Sequence, residues 1–145
     1  MMNRADVNPL VGTWRLVSCT FRDGRIVNHP YGSHPSGFLT YTPDGHMAVM
    51  FGDPDRPLLE NPDWRQNSDV DVAAAARLCI AYCGTYDLRD DEVVHHVAFS
   101  LTPNWIGQTL TRRITVTGGT LTLSTPEMLV DGRKQFGTLV WKCVE

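Results

Sequence analysis

The feature that most constrains the fold of this chain is a series of short alternating segments separated by turn dipeptides. Asp-Gly and Gly-Gly pairs accept the backbone angles that tight hairpins require, and Pro-Asp-Gly adds a fixed φ angle and side-chain capping. The segments between these turns have the length of strands. The pattern predicts about eight to ten strands joined by sequential hairpins, which is typical of an antiparallel barrel or sandwich. The predicted turns are Asp23-Gly24, Pro43-Asp44-Gly45, Asp90-Asp91, Gly118-Gly119 and Asp131-Gly132.

One helix interrupts the strands. Asp53 to Asn67 is rich in proline and aspartate and has no period, which indicates a loop. Asp69 to Ile80 follows, with Ser68 or Asp69 as the cap and an alanine run that favours a helix. We expect this helix to lean on the barrel or to cover its mouth. The predicted strands cover residues 12–21, 36–42, 46–51, 84–88, 92–101, 107–117, 120–124, 128–130 and 134–143.

The chain is expected to be a single all-β domain. Its 145 residues correspond to about one domain, with the ordered core spanning about residues 10–143. Hydrophobic residues make up 42% and charged residues 20%, an ordinary globular balance. A chain of this size buries enough surface to fold without disulfides or metals. We expect a monomer or a homodimer.

Charge and hydropathy exclude several classes of partner. The formal net charge is −3 and the basic residues are scattered, so nucleic acid and anionic membranes are not expected partners. No segment approaches the roughly 20 apolar residues of a membrane span, and the polar start has no signal-peptide core. We therefore expect a cytoplasmic protein.

The four cysteines are expected to be reduced thiols, mostly buried in the core. Cys79 and Cys83 are four residues apart, but no second pair offers the four ligands of a zinc site. The sequence therefore predicts no metal site and no disulfide.

Alternation assigns the strand faces, because successive side chains of a strand point to opposite sides. In residues 92–101 the odd-numbered set is more apolar, which predicts that His95 and Phe99 face inward and that His96 faces outward. A β-bulge would invert this assignment locally. In the first strand the pattern is ambiguous, since Trp14 and Leu16 compete with the set Val17, Cys19 and Phe21.

The same reasoning applied to residues 107–117 places Leu110, Arg112 and Ile114 inside the barrel and Arg113 outside. Tyr86 is expected to face inward from the strand at 84–88. A buried arginine is costly unless it is paired. Arg112 therefore either closes one barrel end, stacked on a tryptophan, or lines a ligand cavity.

Motifs along nearly the whole chain resemble one family. The first is Gly12-Thr13-Trp14, the Gly-x-Trp opening seen in lipocalins and related calycins. Taken together and in their order along the chain, the motifs resemble those of the lipocalin-like domain family of small bacterial and fungal proteins. The resemblance covers about residues 10–143. The further motifs are Gly37-Phe38-Leu39-Thr40-Tyr41-Thr42-Pro43-Asp44-Gly45, Tyr82-Cys83-Gly84-Thr85-Tyr86, Val94-His95-His96-Val97, Pro103-Asn104-Trp105-Ile106-Gly107 and Leu139-Val140-Trp141-Lys142.

The resemblance implies a lipocalin-like β-barrel but not one activity. Some members of the family resemble accessory proteins of secondary-metabolite pathways, and related small barrels act as cyclases or isomerases. The chain resembles secreted lipocalins only in its Gly-x-Trp opening, because it lacks their signal peptide and disulfides.

The first functional hypothesis is a binding protein for a small, mostly apolar molecule inside the barrel. Aromatic side chains supply apolar walls, while a few polar groups would orient the ligand. The candidate ligand-binding residues are Tyr41, Tyr86, His95, Phe99, Trp105, Leu110, Arg112 and Ile114.

The second hypothesis is a cofactor-independent isomerase or cyclase acting on a polyketide- or terpenoid-like substrate. His95 would be the general acid or base, since histidine titrates near neutrality. Tyr86 would donate a proton or a hydrogen bond, and Arg112 would stabilise an enolate. A haem-binding barrel with His95 or His46 as the axial ligand is a minor alternative.

Overall fold

A computed structural model describes residues 7–144 and shows an antiparallel barrel of eight strands with one α-helix. The predicted all-β barrel is confirmed. The strands are β1 (Gly12–Asp23), β2 (Ile26–Asn28), β3 (Ser36–Tyr41), β4 (His46–Gly52), β5 (Cys79–Arg89), β6 (Glu92–Ser100), β7 (Thr109–Thr117), β8 (Thr120–Ser124), β9 (Met128–Val130) and β10 (Arg133–Cys143); the helix is α1 (Asp69–Arg77).

The barrel closes because β1 pairs with two partners, β3 on one side and β10 on the other. The remaining neighbours follow the order β3-β4-β5-β6-β7-β8-β10. The short strands β2 and β9 lie outside this ring. β2 pairs with the last residues of β1, and β9 pairs with the first residues of β10.

The two ends of the barrel differ in their connections. At one end, the closed end, tight turns join β3 to β4, β5 to β6 and β7 to β8. At the other end, the open end, the connections are longer and include α1, β2 and β9. All five predicted turns occur between consecutive strands as expected.

The segment preceding β1 plugs the closed end. Leu10 is fully buried, and its carbonyl accepts a hydrogen bond from the indole Nε1 of Trp14 at 2.8 Å. Asn8 donates from Nδ2 to the Tyr86 hydroxyl at 2.9 Å, and that hydroxyl donates to the Thr42 carbonyl at 2.7 Å. The tryptophan of the Gly-x-Trp motif therefore holds the segment before β1 across the closed end of the barrel.

The helix is shorter than predicted. Ser68 caps α1 by accepting from the Asp71 amide, as its position suggested, but α1 ends at Arg77 rather than Ile80. Cys79 is paired with Gly52 in the sheet, so β5 begins where helix was expected. Among residues 7–144, no helix has the length and apolar character needed to span a membrane.

A β-bulge explains the ambiguous first strand. The pairing of β1 with β10 runs from Leu16↔Trp141 to Ser18↔Val140, which leaves Val17 unmatched. Val17 is exposed, and the inward face switches parity across it. Trp14 and Leu16 before the bulge, and Cys19 and Phe21 after it, therefore all belong to the core.

A second bulge overturns the prediction for Phe99. The pairing of β5 with β6 shifts between Gly84↔Val97 and Cys83↔Phe99, so Ala98 has no partner. His95 remains inside at 1% exposure, but Phe99 turns outward and is 68% exposed. The inward assignment of Phe99 is wrong because strict alternation does not continue through a bulge.

The expectation of buried cysteines holds for only one of the four. Cys19 is buried, but Cys83 and Cys143 are exposed and Cys79 is half-buried. Cys79 and Cys83 are four residues apart on β5, which corresponds to about 13 Å along a strand. Two thiols at that separation cannot share one metal ion or form a disulfide.

Candidate functional site

The half of the barrel next to the open end contains a cavity of about 230 Å³. It reaches from the open end, where Leu129 is 70% exposed, down to the buried ring of His95. The volume exceeds the roughly 150 Å³ of a protein cavity that binds benzene. The cavity is therefore large enough for one substituted aromatic ring.

The cavity walls are mainly apolar, because the inward positions of six barrel strands contribute large hydrophobic side chains. Phe51 packs edge-on against Trp141 with ring centroids 5.8 Å apart and against Tyr31 at 5.3 Å. Strand β9 supplies part of the wall at the open end. The main apolar lining residues are Phe21, Leu39, Phe51, Leu123, Leu139 and Trp141.

The β1–β2 hairpin and the β9–β10 hairpin are linked by a hydrogen-bonded side chain beside the open end. Gln135, on β10, is 2% exposed. Its Oε1 accepts from Nδ2 of Asn28 on β2 at 3.0 Å, and its Nε2 donates to the carbonyl of Val130 on β9 at 2.9 Å. This buried amide holds β2 and β9 together, and β9 forms part of the cavity wall.

His95 forms the polar floor of the cavity. Its Nε2 lies 2.7 Å from the Tyr41 hydroxyl, and its Nδ1 lies 2.7 Å from the Tyr82 hydroxyl. The contact with Tyr82 is diagonal, because the register of β5 and β6 sets Tyr86 opposite His95 and Tyr82 opposite Ser100. Both ring nitrogens of His95 are thus engaged by tyrosines.

Burial shifts the titration of all three groups. It lowers the pKa of His95 to about 3, and the charges of Arg112 and, to a lesser extent, His96 act in the same direction. It raises the pKa of Tyr82 to about 12, against an opposing effect of Arg112, and raises the pKa of Tyr41 well above its ordinary value. At neutral pH this cluster consists of a neutral imidazole and two neutral phenols.

Arg112 is the cation of the site. It lines the cavity from β7, and its Nη1 donates to the Thr111 carbonyl at 2.9 Å. No carboxylate within residues 7–144 forms an ion pair with it, and none of the described tryptophans stacks on it. The guanidinium therefore retains unused hydrogen-bond donors beside the cavity.

The structure brings together three of the candidate residues predicted from the sequence. His95, Arg112 and Trp105 line the cavity. Trp105 belongs to the β6–β7 connection and packs edge-on against Tyr82 with centroids 6.0 Å apart. Tyr41 does not line the cavity but lies behind His95, to which it is hydrogen bonded.

Four other candidates lie outside the cavity lining, and these predictions are corrected. Tyr86 faces inward as predicted, but it lies at the closed end, where its hydroxyl is engaged by Thr42 and Asn8. Phe99 faces outward because of the bulge. Leu110 and Ile114 are half-buried and are not part of the cavity wall.

Sequence reasoning missed Tyr82, because the helix was expected to run to Ile80 and the strand to begin at Gly84. The signal was present, since Ile80 and Tyr82 extend the alternation of Tyr86 toward the N-terminus. Gly84 lies between Tyr82 and Tyr86, at a position where an added Cβ would be 1.9 Å from the His96 carbonyl oxygen. Glycine is therefore required where β5 approaches the bulged strand.

The geometry does not suit axial ligation of haem. Both nitrogens of His95 are hydrogen bonded to tyrosines, which leaves no free lone pair directed at the cavity. His46 lies at the closed end, exposed, with Nδ1 3.2 Å from Asp44. Neither histidine occupies a position where an iron could be held within the cavity.

Comparisons with known proteins agree with this architecture. The sequence model of a family described as "Lipocalin-like domain" matches residues 11–144. The chain is also 34% identical over 105 residues to a 4'-hydroxy-3'-methoxypropiophenone carrier protein of Aspergillus oryzae, an alignment that covers 66% of this chain and 95% of the relative.

Proposed function

This chain belongs to the lipocalin-like domain family, and on that premise we propose that it binds a small, mostly apolar aromatic molecule and carries it in secondary metabolism. The cavity carries this proposal. Its walls are mainly apolar and its polar groups are few, the pattern of a site that buries a small molecule and orients one polar end.

The relative supports the class of cargo. Its name states that it carries a propiophenone with one hydroxyl and one methoxyl group on the ring. That compound is a single substituted aromatic ring with a short ketone chain. The cavity of about 230 Å³ is larger than one that binds benzene, as a substituted ring requires.

The site supports binding better than catalysis by His95. With a pKa of about 3, the imidazole is a weak base at neutral pH and cannot serve as a protonated acid there. Tyr86, the other proposed acid, lies at the closed end and does not reach the cavity. An isomerase or cyclase would need another acid or base in the cavity.

A reducing, cytoplasmic location is part of the proposal. All four cysteines are free thiols, as expected for a protein that remains in a reducing compartment.

Calorimetric titration with 4'-hydroxy-3'-methoxypropiophenone tests the proposal. We expect saturable binding of one molecule per chain. The Val49→Phe substitution places a larger side chain in the cavity wall and should abolish binding. Met50→Phe, the adjacent residue on the outer face of β4, is the matched control and should bind like the wild type.

Binding that is absent from the wild type, or that survives Val49→Phe unchanged, would contradict a cargo site in the barrel. A small chemical library would then be screened by thermal shift, because a ligand at 100 times its Kd adds about 2.7 kcal/mol to the stability of the folded state.

A further inference from the structure

We propose that the Tyr82 hydroxyl, held in place by His95 and Tyr41, donates a hydrogen bond to an acceptor oxygen of the ligand, so that the cavity recognises the carbonyl group of aromatic ketones. This inference rests on the proposed function and deepens it, because it assigns the polar contact that orients the cargo.

The first step is the protonation of His95. A neutral imidazole carries one N–H group and one nitrogen with a free lone pair. Its two hydrogen bonds, each 2.7 Å long, must therefore run in opposite directions. One tyrosine donates to the ring, and the other accepts from it.

The second step decides which tyrosine donates. Tyr41 is 1% exposed, and His95 is the only hydrogen-bond partner of its hydroxyl among residues 7–144. If Tyr41 accepted from His95, its own proton would be buried without an acceptor, which costs about 1–3 kcal/mol. Tyr41 therefore donates to Nε2, and Nδ1–H donates to Tyr82.

The third step follows for Tyr82. Its oxygen accepts from His95, so its own proton is available. Unlike Tyr41, Tyr82 lines the cavity and is only half-buried. The relay Tyr41–His95–Tyr82 thus presents a hydroxyl proton to whatever molecule fills the cavity.

The remaining polar groups favour the same ligand chemistry. Arg112 lines the cavity and offers only donors. The hydroxyl of Thr125, another lining residue, already accepts from the Gly137 amide at 2.7 Å. No aspartate, glutamate, asparagine or glutamine is among the described residues that line the cavity. These donors match a ligand with an acceptor oxygen, and the charge of Arg112 disfavours an ammonium group beside it.

In this assignment Tyr82 is the residue that contacts the ligand, and His95 and Tyr41 are positioning residues. Trp105 packs edge-on against Tyr82 and limits its ring rotation from the side of the β6–β7 connection. The hydroxyl is therefore fixed before the ligand arrives, which reduces the ordering cost of binding.

Two probes with the same carbon skeleton test the assignment, propiophenone and propylbenzene. They differ only in the carbonyl oxygen. Binding is followed by the fluorescence of Trp105 and Trp141, which both line the cavity. Tyr82→Phe should weaken propiophenone binding by about 3- to 10-fold, the worth of one neutral hydrogen bond, and leave propylbenzene binding within about twofold.

Tyr86→Phe is the matched control. Tyr86 faces inward from the same strand, but it lies at the closed end and does not line the cavity. This variant should bind both probes like the wild type. A selective loss of propiophenone binding in Tyr86→Phe instead of Tyr82→Phe, or equal effects of Tyr82→Phe on both probes, would overturn the assignment.

A second measurement separates this inference from the proposed function. Nitrogen-15 NMR of histidine-labelled protein, with His95→Gln to assign the signals, should show a protonated Nδ1 and an unprotonated Nε2 for His95 at neutral pH. The opposite tautomer would overturn the inference even if both probes bind. If neither probe binds, the proposed aromatic cargo fails, while the NMR result still decides the direction of the relay.

Discussion

The Tyr41 hydroxyl lies 2.7 Å from Nε2 of His95, so the imidazole at the cavity floor is held by a tyrosine that the cavity does not reach. Both side chains are 1% exposed. Buried polar groups are stable only when they are paired, and the partner of each group is then as important as the group itself. This pair connects the packed side chains near the closed end to the cavity near the open end.

Removing the Tyr41 hydroxyl should therefore destabilise the protein without changing the cavity wall. Tyr41→Phe leaves Nε2 of His95 buried and unpaired, and we expect a loss of about 1–3 kcal/mol in the free energy of unfolding. Urea denaturation measures this change. Tyr31→Phe removes a hydroxyl from another aromatic residue and should change stability by less than about 0.5 kcal/mol. Equal stability of the two variants would show that the Tyr41–His95 bond contributes little.

The stability of the protein should depend on pH through His95. The unfolded chain takes up a proton on this residue near its ordinary value of 6.5, whereas the folded state keeps it neutral down to about pH 3. The unfolded state binds more protons in this window, so stability falls as the pH is lowered, by up to about 1.4 kcal/mol per pH unit.

Urea unfolding between about pH 5 and 6.5, above the range where exposed carboxylates titrate, measures this slope. His95→Gln removes the titrating group and should flatten it. His34→Gln removes an exposed histidine and should keep the wild-type slope. A slope in His95→Gln that is parallel to the wild type would mean that His95 is not buried as a neutral ring.

The exposed and buried thiols should differ sharply in reactivity. Cys83 and Cys143 are exposed and should be alkylated rapidly by iodoacetamide in the native protein. Cys19 is buried at the cavity wall, and burial raises the pKa of its thiol to about 12, so it should react much more slowly than the exposed thiols. Mass spectrometry of timed digests identifies each site. Modification of Cys19 as fast as that of Cys83 would contradict its burial.

The bulge in β6 should depend on Gly84. An added Cβ at this position would lie 1.9 Å from the His96 carbonyl oxygen and 2.9 Å from the Ala98 amide nitrogen. Both contacts are with backbone, which cannot move aside without breaking the pairing of β5 with β6. Gly84→Ala should lower the free energy of unfolding by about 1–3 kcal/mol, the usual cost of forcing extra volume into a packed site. Wild-type stability in chemical denaturation would show that the strands can separate at little cost.

The sequence alone determined the fold class, because its main signals are local. Turn dipeptides fix where strands end, and an alternating pattern fixes which side of an uninterrupted strand faces the core. The confirmed features that depend only on such signals are the five turns, the Ser68 cap and the inward positions of His95 and Tyr86.

Only the tertiary structure decided the composition of the candidate site. A bulge is set by the register between two strands, so the outward turn of Phe99 and the mixed face of β1 could not be read from either strand by itself. The start of β5 was decided by the pairing of Cys79 with Gly52, so the helix of the alanine run ends at Arg77 rather than at Ile80. Tyr82 lies in the part of β5 that precedes the predicted strand. Its hydrogen bond to His95 joins two neighbouring strands, so neither strand alone could reveal it.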